Sequence, residues 1–332
     1  MQKPFAKRLV KPRPCLELAA LILLFIAAFM LATSRRYQNA VISGIELWAA
    51  AVLPALFPYL VITALVSSLK ITGEITTALS PLTKRLFNVG GAVGYALFIS
   101  LTSGYPVGAK TVSDLKLKGA TGDAESVRAA ALCSSSSPTF LIGSVGNLTF
   151  NSPFFGLLLF ITHILSVFVV GVAFAFYKRK DRPQNRKVSF AGGSDNILYD
   201  GVFNAVISVL VVGGIITVFY LLTEMLTGIG VLDRISGIFN VVFHDENLSN
   251  GVATGIFECT KGLKIIAKSG VGRLTLPLAG AICGFGGVSV IMQSVAYLKK
   301  AKIKTAPFFL SKVLAAVVNF CIGFIISAVF LR

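Results

Sequence analysis

The sequence predicts an all-α polytopic membrane protein with two inverted repeats, re-entrant hairpins and broken helices, plus an extra N-terminal transmembrane helix. The first reason is composition: of 332 residues, 55% are hydrophobic and 14% are charged, and the mean hydropathy is +0.80. Soluble proteins carry roughly 25% charged residues, and one soluble core could not bury so much apolar surface. The second reason is an internal repeat, in which segments of the first half return in the same order in the second half.

Four short matches carry the repeat, and their offsets run from 150 residues (131 to 281) to 157 residues (43 to 200). Duplicated membrane halves with Gly/Pro-interrupted segments at matching places are typical of secondary transporters. The matches are Ser43-Gly44-Ile45 with Asp200-Gly201-Val202, Gly108-Ala109-Lys110 with Gly262-Leu263-Lys264, Ala131-Leu132-Cys133 with Ala281-Ile282-Cys283, and Pro153-Phe154-Phe155 with Pro307-Phe308-Phe309.

Apolar length defines the elements along the chain, because about 20 residues cross the hydrocarbon core of a bilayer. An uncleaved helix is predicted at 15–33, followed by an interfacial stretch at 37–46. We expect spans at 47–69 (bent or broken by Pro54 and Pro58), 154–177, 201–222, 274–297 and 307–331. Hairpin arms are predicted at 89–103 and 249–266. The remaining elements are an exposed helix at 107–118, a helix that begins at 123 and is capped by Thr121 or Asp123, and an amphipathic stretch outside the bilayer at 223–250. The predicted organisation is 1–36 (basic start and N-terminal helix), 37–180 (repeat 1), 181–196 (basic loop) and 197–332 (repeat 2).

The basic residues predict the topology. The net charge is +17, and Lys and Arg cluster in the connections at 1–14 and 178–187. This is the positive-inside pattern rather than a nucleic-acid-binding face. The N-terminus is therefore expected in the cytoplasm, with the two halves inverted relative to each other in the membrane. Four basic residues then lie outside, against the rule: Lys261, Lys264, Lys268 and Arg273.

Three apolar stretches are interrupted by polar or glycine residues, at 103–110, 134–139 and 284–287. Unwound backbone in a membrane must line a cavity or pack on protein, because lipid offers no hydrogen-bond partner. Hydroxyl groups both donate and accept, which suits a polar uncharged ligand or a weakly held cation, and glycine lets a backbone approach a ligand closely. Helix packing through small residues is the alternative. The candidate substrate-binding residues here are Ser103, Gly104, Tyr105, Ser134, Ser135, Ser136, Ser137, Thr139, Gly284, Gly286, Gly287 and, in the following apolar run, Gln293.

Glu258, followed by Thr260, is the most informative acidic candidate. It is an acid inside the apolar stretch 251–266, and intramembrane carboxylates usually mark an ion or substrate path. Glu258 and Thr260 are therefore candidate substrate-binding residues, and Glu258 is a candidate site for a coupling cation, Na⁺ or H⁺. The alternative is an interfacial Glu258 paired with Lys261 or Lys264 one turn away.

Catalytic and metal chemistry find little support. The five cysteines include no C-x-x-C pair, and there are only two histidines, so no metal site is expected. Residues 104–111 resemble a phosphate loop, but Ala109 stands where the second glycine belongs. No nucleophile motif occurs. We expect no enzyme activity, no resident cofactor and no catalytic residue, and we expect His163 to be a packed, hydrogen-bonded residue of its span.

The motifs at 103–110 and 133–143, with Glu258-Cys259-Thr260-Lys261-Gly262 and the segment 284–293, resemble the sporulation integral membrane protein YlbJ family. The resemblance covers nearly all of the chain after residue 40. It implies a nucleoside-recognition or Gate domain, as in nucleoside transporters, with hairpins at 103–110 and 249–262 and helix breaks at 134–139 and 284–287. It also implies a multi-pass protein of the bacterial cell membrane and a role in spore formation. Family members often carry asparagines where this chain has Ser134 and Ser135.

Two functions stay open from the sequence. The first is transport or gating of a small polar solute, nucleoside-like or another metabolite. The second is a non-transporting membrane scaffold or assembly factor of the spore envelope. The expected partners are the lipid bilayer, the solute and a second copy of the chain, and no nucleic acid.

Overall fold

The computed structural model describes residues 21, 24, 28, 34–68, 71–183 and 196–331. Its regular elements are all helical in these residues. The predicted N-terminal transmembrane helix at 15–33 and the predicted basic loop at 181–196 lie almost entirely outside them.

The first series of helices runs from a long span to a second span. Residues 34–68 form a continuous helix, in which a π-helical turn at Trp48–Val52 joins α1 to α2. The elements in order are α1 (Ser34–Leu47), α2 (Leu53–Ser68), α3 (Ile71–Phe87), α4 (Gly91–Ser103), α5 (Val107–Leu117), α6 (Asp123–Leu132), the π-helical α7 (Thr139–Thr149) and α8 (Pro153–Ala175). Helices α4 and α5 form hairpin 1, and helices α6 and α7 form a helix broken at 133–138.

The second series follows the same order of span, amphipathic helix, hairpin, broken helix and span. It consists of α9 (Ile197–Gly228), α10 (Val231–Phe243), α11 (Glu246–Phe257), α12 (Cys259–Ile266), α13 (Thr275–Phe285), α14 (Gly287–Lys300) and α15 (Thr305–Phe330), with a short 3-10 turn at Ala267–Ser269. Helices α11 and α12 form hairpin 2, and α13 and α14 form a helix broken at Gly286. The two series together confirm the predicted fold class for the described residues.

Local chemistry explains where several helices begin. Ser152 caps α8 by accepting from the Phe155 N–H at 3.2 Å, and Pro153 occupies the first helical position, where a proline loses no hydrogen bond. Asp245 caps α11 by accepting from the Leu248 N–H at 3.0 Å. These caps satisfy donors that would otherwise be free at the helix ends.

Five helical segments are long and apolar enough to cross a membrane: Tyr37–Val66, Pro153–Ala175, Ile197–Gly228, Thr275–Lys300 and Thr305–Phe330. Their mean hydropathies lie between 1.7 and 2.6. A further pair, Gly73–Phe87 with Gly91–Ser103, is bent by 95°, as expected for an element that enters a re-entrant hairpin. The protein is therefore a multi-pass membrane protein.

Three local predictions are wrong. Residues 37–46 are part of the first described span rather than an interfacial stretch, because the π-helical turn continues the helix and Pro54 and Pro58 follow without a break. The predicted exposed helix at 107–118 is the second arm of hairpin 1, and it buries Val112 and Leu115. The helix at Asp123 is preceded by Gly122 as its cap.

The hairpins each pack into a core that both repeats build. The core around hairpin 1 contains Val93 and Val112, and it includes Leu298 and Phe308 of the second repeat. The core around hairpin 2 includes residues of the first repeat in the same way: Leu141, Val145, Phe155 and Leu159. Because each hairpin is covered by the other repeat, its tip is held near the middle of the molecule.

Candidate functional site

The tip of hairpin 1 packs directly on the first helix break. Gly104 has φ of +75°, and a Cβ atom on it would lie 2.6 Å from the Ser137 backbone nitrogen. Ser103 donates to the Thr63 hydroxyl at 3.1 Å, which fixes the tip against α2. The predicted meeting of hairpin and break is therefore present, and it depends on a glycine at 104 because a side chain has no room there.

The tip of hairpin 2 packs on the second break in the same way. Gly287 has φ of +72°, and a Cβ atom on it would lie 3.0 Å from the Cys259 backbone nitrogen and 3.1 Å from the Gly255 oxygen. Its neighbour Gly286, with φ of +84°, ends α13 and precedes α14. The two breaks thus meet the two hairpin tips in pairs.

A small cavity lies where the two pairs face each other, and it encloses about 60 Å³. Its apolar wall comes from α2, α7 and α9. Seven of the predicted residues line it: Tyr105, Ser136, Ser137, Glu258, Thr260, Gly286 and Gln293. This volume admits a few water molecules, so the cavity is small in this conformation.

A second cavity of about 140 Å³ adjoins the first on the side of hairpin 1. Tyr105 and Gln293 line both cavities, and so do Leu56 and Val212. These four side chains therefore form the partition between the two spaces. Lys110 on α5 lines only the second cavity.

Three further predicted residues, Ser135, Thr139 and Gly284, contact the protein backbone around the site and do not line the first cavity. Ser135 donates to the Ser136 carbonyl at 2.9 Å, and Thr139 donates to the Ala55 carbonyl at 3.0 Å. Gly284 lets α13 approach α15, since a Cβ atom there would lie 2.6 Å from the Ala315 oxygen. The helix-packing alternative therefore describes Gly284 well.

Glu258 is buried at the tip of hairpin 2, and its carboxylate accepts from the Lys261 backbone N–H at 2.5 Å. It therefore caps α12. The Lys261 ammonium instead pairs with Glu224 at 2.7 Å and donates to the Thr223 hydroxyl at 2.7 Å. The alternative prediction, a Glu258 paired with Lys261 or Lys264, is wrong: the Lys261 side chain turns towards α9, and Glu258 forms no ion pair with either lysine among the described residues.

Lys312 is a further candidate residue of the site, and the sequence analysis missed it. It lies in the span α15, its side chain is 1% exposed, and its ammonium donates to the Tyr105 hydroxyl at 2.6 Å and to the Ser134 hydroxyl at 3.3 Å. The ammonium also lies 4.3 Å from the centre of the Tyr105 ring. Lys312 shows the same sequence signal as Glu258, because it is also an ionisable residue inside an apolar run.

Hydrogen bonds extend this polar cluster. Tyr105 donates to the Cys283 carbonyl at 3.4 Å, which links hairpin 1 to the second broken helix. His163 accepts from the Ser136 N–H at 2.9 Å and is buried; the prediction that it is packed and hydrogen-bonded is confirmed. In the described part of the chain, no group of three or more His, Cys, Asp or Glu side chains could hold a metal ion.

Two hairpins and two broken helices, one of each in each series of helices, define the fold of this multi-pass membrane protein. The structure of a doubly substituted CNTnw in an outward-facing state is similar, with a TM-score of 0.55 and 13% identity over 95% of this chain and 87% of that one. That likeness concerns the fold alone.

The sequence comparison is more specific. The sporulation integral membrane protein YlbJ of Bacillus subtilis (strain 168) is 27% identical over 325 residues, covering 90% of this chain and 80% of that protein. The resemblance to the YlbJ family is therefore confirmed, and the chain is similar to this sporulation integral membrane protein over most of its length. No protein-family model matches the chain.

Proposed function

We propose that the protein transports or gates a small anionic organic solute through the cavity between the two hairpin tips. The observation that carries the proposal is the buried Lys312 ammonium. Among the described residues it forms no ion pair with a carboxylate, and its partners are two hydroxyl groups. A buried charge without a counter-ion is costly, so an anionic group in the adjoining cavity would stabilise the site.

Glu258 does not fill the place of that counter-ion. Its carboxylate is held by the first turn of α12 through the Lys261 N–H, where the positive end of the helix dipole compensates a negative charge. The α14 helix also begins at the cavity, at Gly287. Helix N-termini that face a transport site favour anionic groups of the substrate.

The neutral lining supplies orientation rather than charge. The hydroxyls of Ser137 and Thr260 and the amide of Gln293 can donate to or accept from a solute. Within the predicted class of small polar solutes, this arrangement favours a carboxylate-bearing metabolite over an uncharged nucleoside. The hairpin tips would have to separate to admit it, because ligand pockets usually enclose roughly 300–1,000 Å³.

The solute class is tested by thermal unfolding of the detergent-purified protein. The additives are mono- and dicarboxylates, the matched amides and nucleosides, each with and without Na⁺ and across pH. We expect carboxylates alone to raise the melting temperature. A shift with amides or nucleosides of equal size would refute the anionic class.

A matched pair of variants tests whether the ligand that raises the melting temperature binds in the cavity. Val212→Phe fills the space beside Tyr105, because Val212 lines both cavities. Val218→Phe makes the same change on the same helix at a position that is 61% exposed. We expect the ligand-induced shift to disappear in the first variant and to persist in the second.

We also propose, from the name of the YlbJ relative, that the protein acts in spore formation. A spore-forming host that lacks its own relative would receive the wild-type chain, Val212→Phe or Val218→Phe. Transport predicts that Val212→Phe fails to restore spores although it is inserted normally. Full restoration by Val212→Phe would support the alternative, a membrane scaffold that moves no solute.

A further inference from the structure

A third, larger cavity of about 600 Å³ lies at the end of the span α8, away from the solute site. The end of α3 and the chain that follows α8 form its walls. The lining residues are Lys84, Arg85, Leu86, Asn88, Val172, Ala175, Phe176, Arg179, Arg182 and Pro183. Because α8 is a candidate span that ends at Ala175, this cavity lies at the depth where a bilayer presents its headgroups.

The charge of this cavity has one sign. Four of its lining residues are cationic and none is acidic: Lys84, Arg85, Arg179 and Arg182. None of the four forms an ion pair within the described part of the chain. Arginine presents a planar fork of donors that matches the oxygens of a phosphate group.

Apolar side chains continue the cavity towards the bilayer. Val172 lies on the last turn of α8 and is 41% exposed, and Phe176 directly follows α8 and is 63% exposed. The Arg179 guanidinium lies 5.2 Å from the centre of the Phe176 ring. A cationic and an apolar surface therefore meet within one site, and they match the anionic headgroup and the acyl chains of a phospholipid.

The two walls are joined by Asn88. Its amide donates to the Ala175 carbonyl at 3.4 Å and to the Arg179 carbonyl at 3.3 Å, so the end of α3 is tied to the end of α8. The cavity is consequently a built feature of the fold, formed by backbone contacts as well as by exposed side chains.

We propose that this cavity binds an anionic phospholipid, with the phosphate on the arginine cluster and an acyl chain along Val172 and Phe176. Clusters of basic residues beside a membrane span attract anionic headgroups with about 1 kcal/mol per charge. The lipid would hold α3 against α8 and so stabilise the support of hairpin 1. This site is independent of the solute cavity.

The test uses the full chain, delipidated in neutral detergent and studied by native mass spectrometry and thermal unfolding. The probes are phosphatidylglycerol, phosphatidylcholine and free glycerol 3-phosphate. One variant combines Arg85→Gln, Arg179→Gln and Arg182→Gln. Its control combines Lys118→Gln, Lys299→Gln and Lys300→Gln, which removes the same charge at exposed positions outside this cavity.

We expect phosphatidylglycerol to bind the wild-type protein and the control equally and to bind the arginine variant about a hundredfold more weakly, from three lost charges. Equal weakening in the control, equal binding of phosphatidylcholine, or saturation by glycerol 3-phosphate at the same concentration would each overturn the proposal. If the triple variant unfolds, Arg182→Gln alone is measured, and it should weaken binding about fivefold. Unchanged binding in that variant would also overturn it.

Discussion

Replacing Lys312 by methionine is the most direct test of the proposed solute class. The change keeps the length and apolar stem of the side chain and removes its charge. Tyr105 keeps the Cys283 carbonyl as a partner at 3.4 Å. Because the lost charge has no buried carboxylate to leave unpaired, we expect the variant to fold with a melting temperature near that of the wild type.

The expected loss of solute binding follows from the geometry. The Lys312 ammonium lies 2.6 Å from the Tyr105 hydroxyl, and a solute oxygen that replaces the Cys283 carbonyl as the acceptor of this hydroxyl would lie about 2.7 Å further on. The two charges would then be about 5 Å apart. At an effective dielectric constant of about 20, their attraction is about 3 kcal/mol, which corresponds to about a hundredfold in Kd.

The assay is a titration of the purified protein with the best carboxylate from the thermal screen, monitored by calorimetry. Lys312→Arg keeps the charge and should retain most of the affinity. Lys300→Met is the control, because Lys300 is an exposed lysine at the end of α14. Wild-type affinity in Lys312→Met, or an equal loss in Lys312→Arg and Lys312→Met, would show that the charge of Lys312 does not recognise the solute.

Three further changes test the hairpin tips and the cap of α11. Gly104→Ala should lower stability and abolish solute binding, because its Cβ would lie 2.6 Å from the Ser137 nitrogen; wild-type unfolding and binding would contradict this. Glu258→Gln keeps an acceptor for the cap of α12, so the protein should fold while any dependence on Na⁺ or pH is lost; unchanged ion dependence would exclude the coupling role. Asp245→Ala should cost about 1 kcal/mol of stability. Hydrogen bonds from the Leu248 N–H and, to a smaller extent, from the Ser269 hydroxyl lower the pKa of Asp245. The stability that Asp245 contributes is therefore fully present above the ordinary aspartate pKa and is lost as pH falls through the lowered pKa. Chemical unfolding of both proteins at neutral and at acid pH measures this contribution.

Local sequence patterns predicted much of the fold. Length and hydropathy located the spans at 154–177 and 307–331, and these correspond to α8 and α15. Glycine, serine and proline clusters located the breaks at 134–139 and 284–287, because these residues interrupt helices through their own backbone preferences. The error at 107–118 has a different cause. A helix with polar residues was taken to be exposed, whereas α5 buries one face against the second repeat, and Ser113 donates to the Tyr297 carbonyl at 2.9 Å.

The same local sequence patterns predicted part of the candidate site. Tyr105, Ser136 and Gln293 line the cavity as expected, since each lies in or beside an interrupted stretch. The Ser135 hydroxyl, in contrast, donates to the carbonyl of the next residue, Ser136. Which serine of a run faces the cavity depends on the turn of an irregular backbone, and no periodicity of the sequence specifies that turn.

The sequence by itself determined the membrane class, the internal repeat and the positions at which helices are interrupted, because hydropathy and backbone preference are properties of short segments. Tertiary structure alone decided that Lys312 meets Tyr105 and Ser134, which precede it by 207 and 178 residues. Each hairpin packs against the opposite repeat, so the charge environment of the cavity comes from elements that are distant along the chain. A buried ammonium beside a hairpin tip is therefore visible only when the two repeats are packed together.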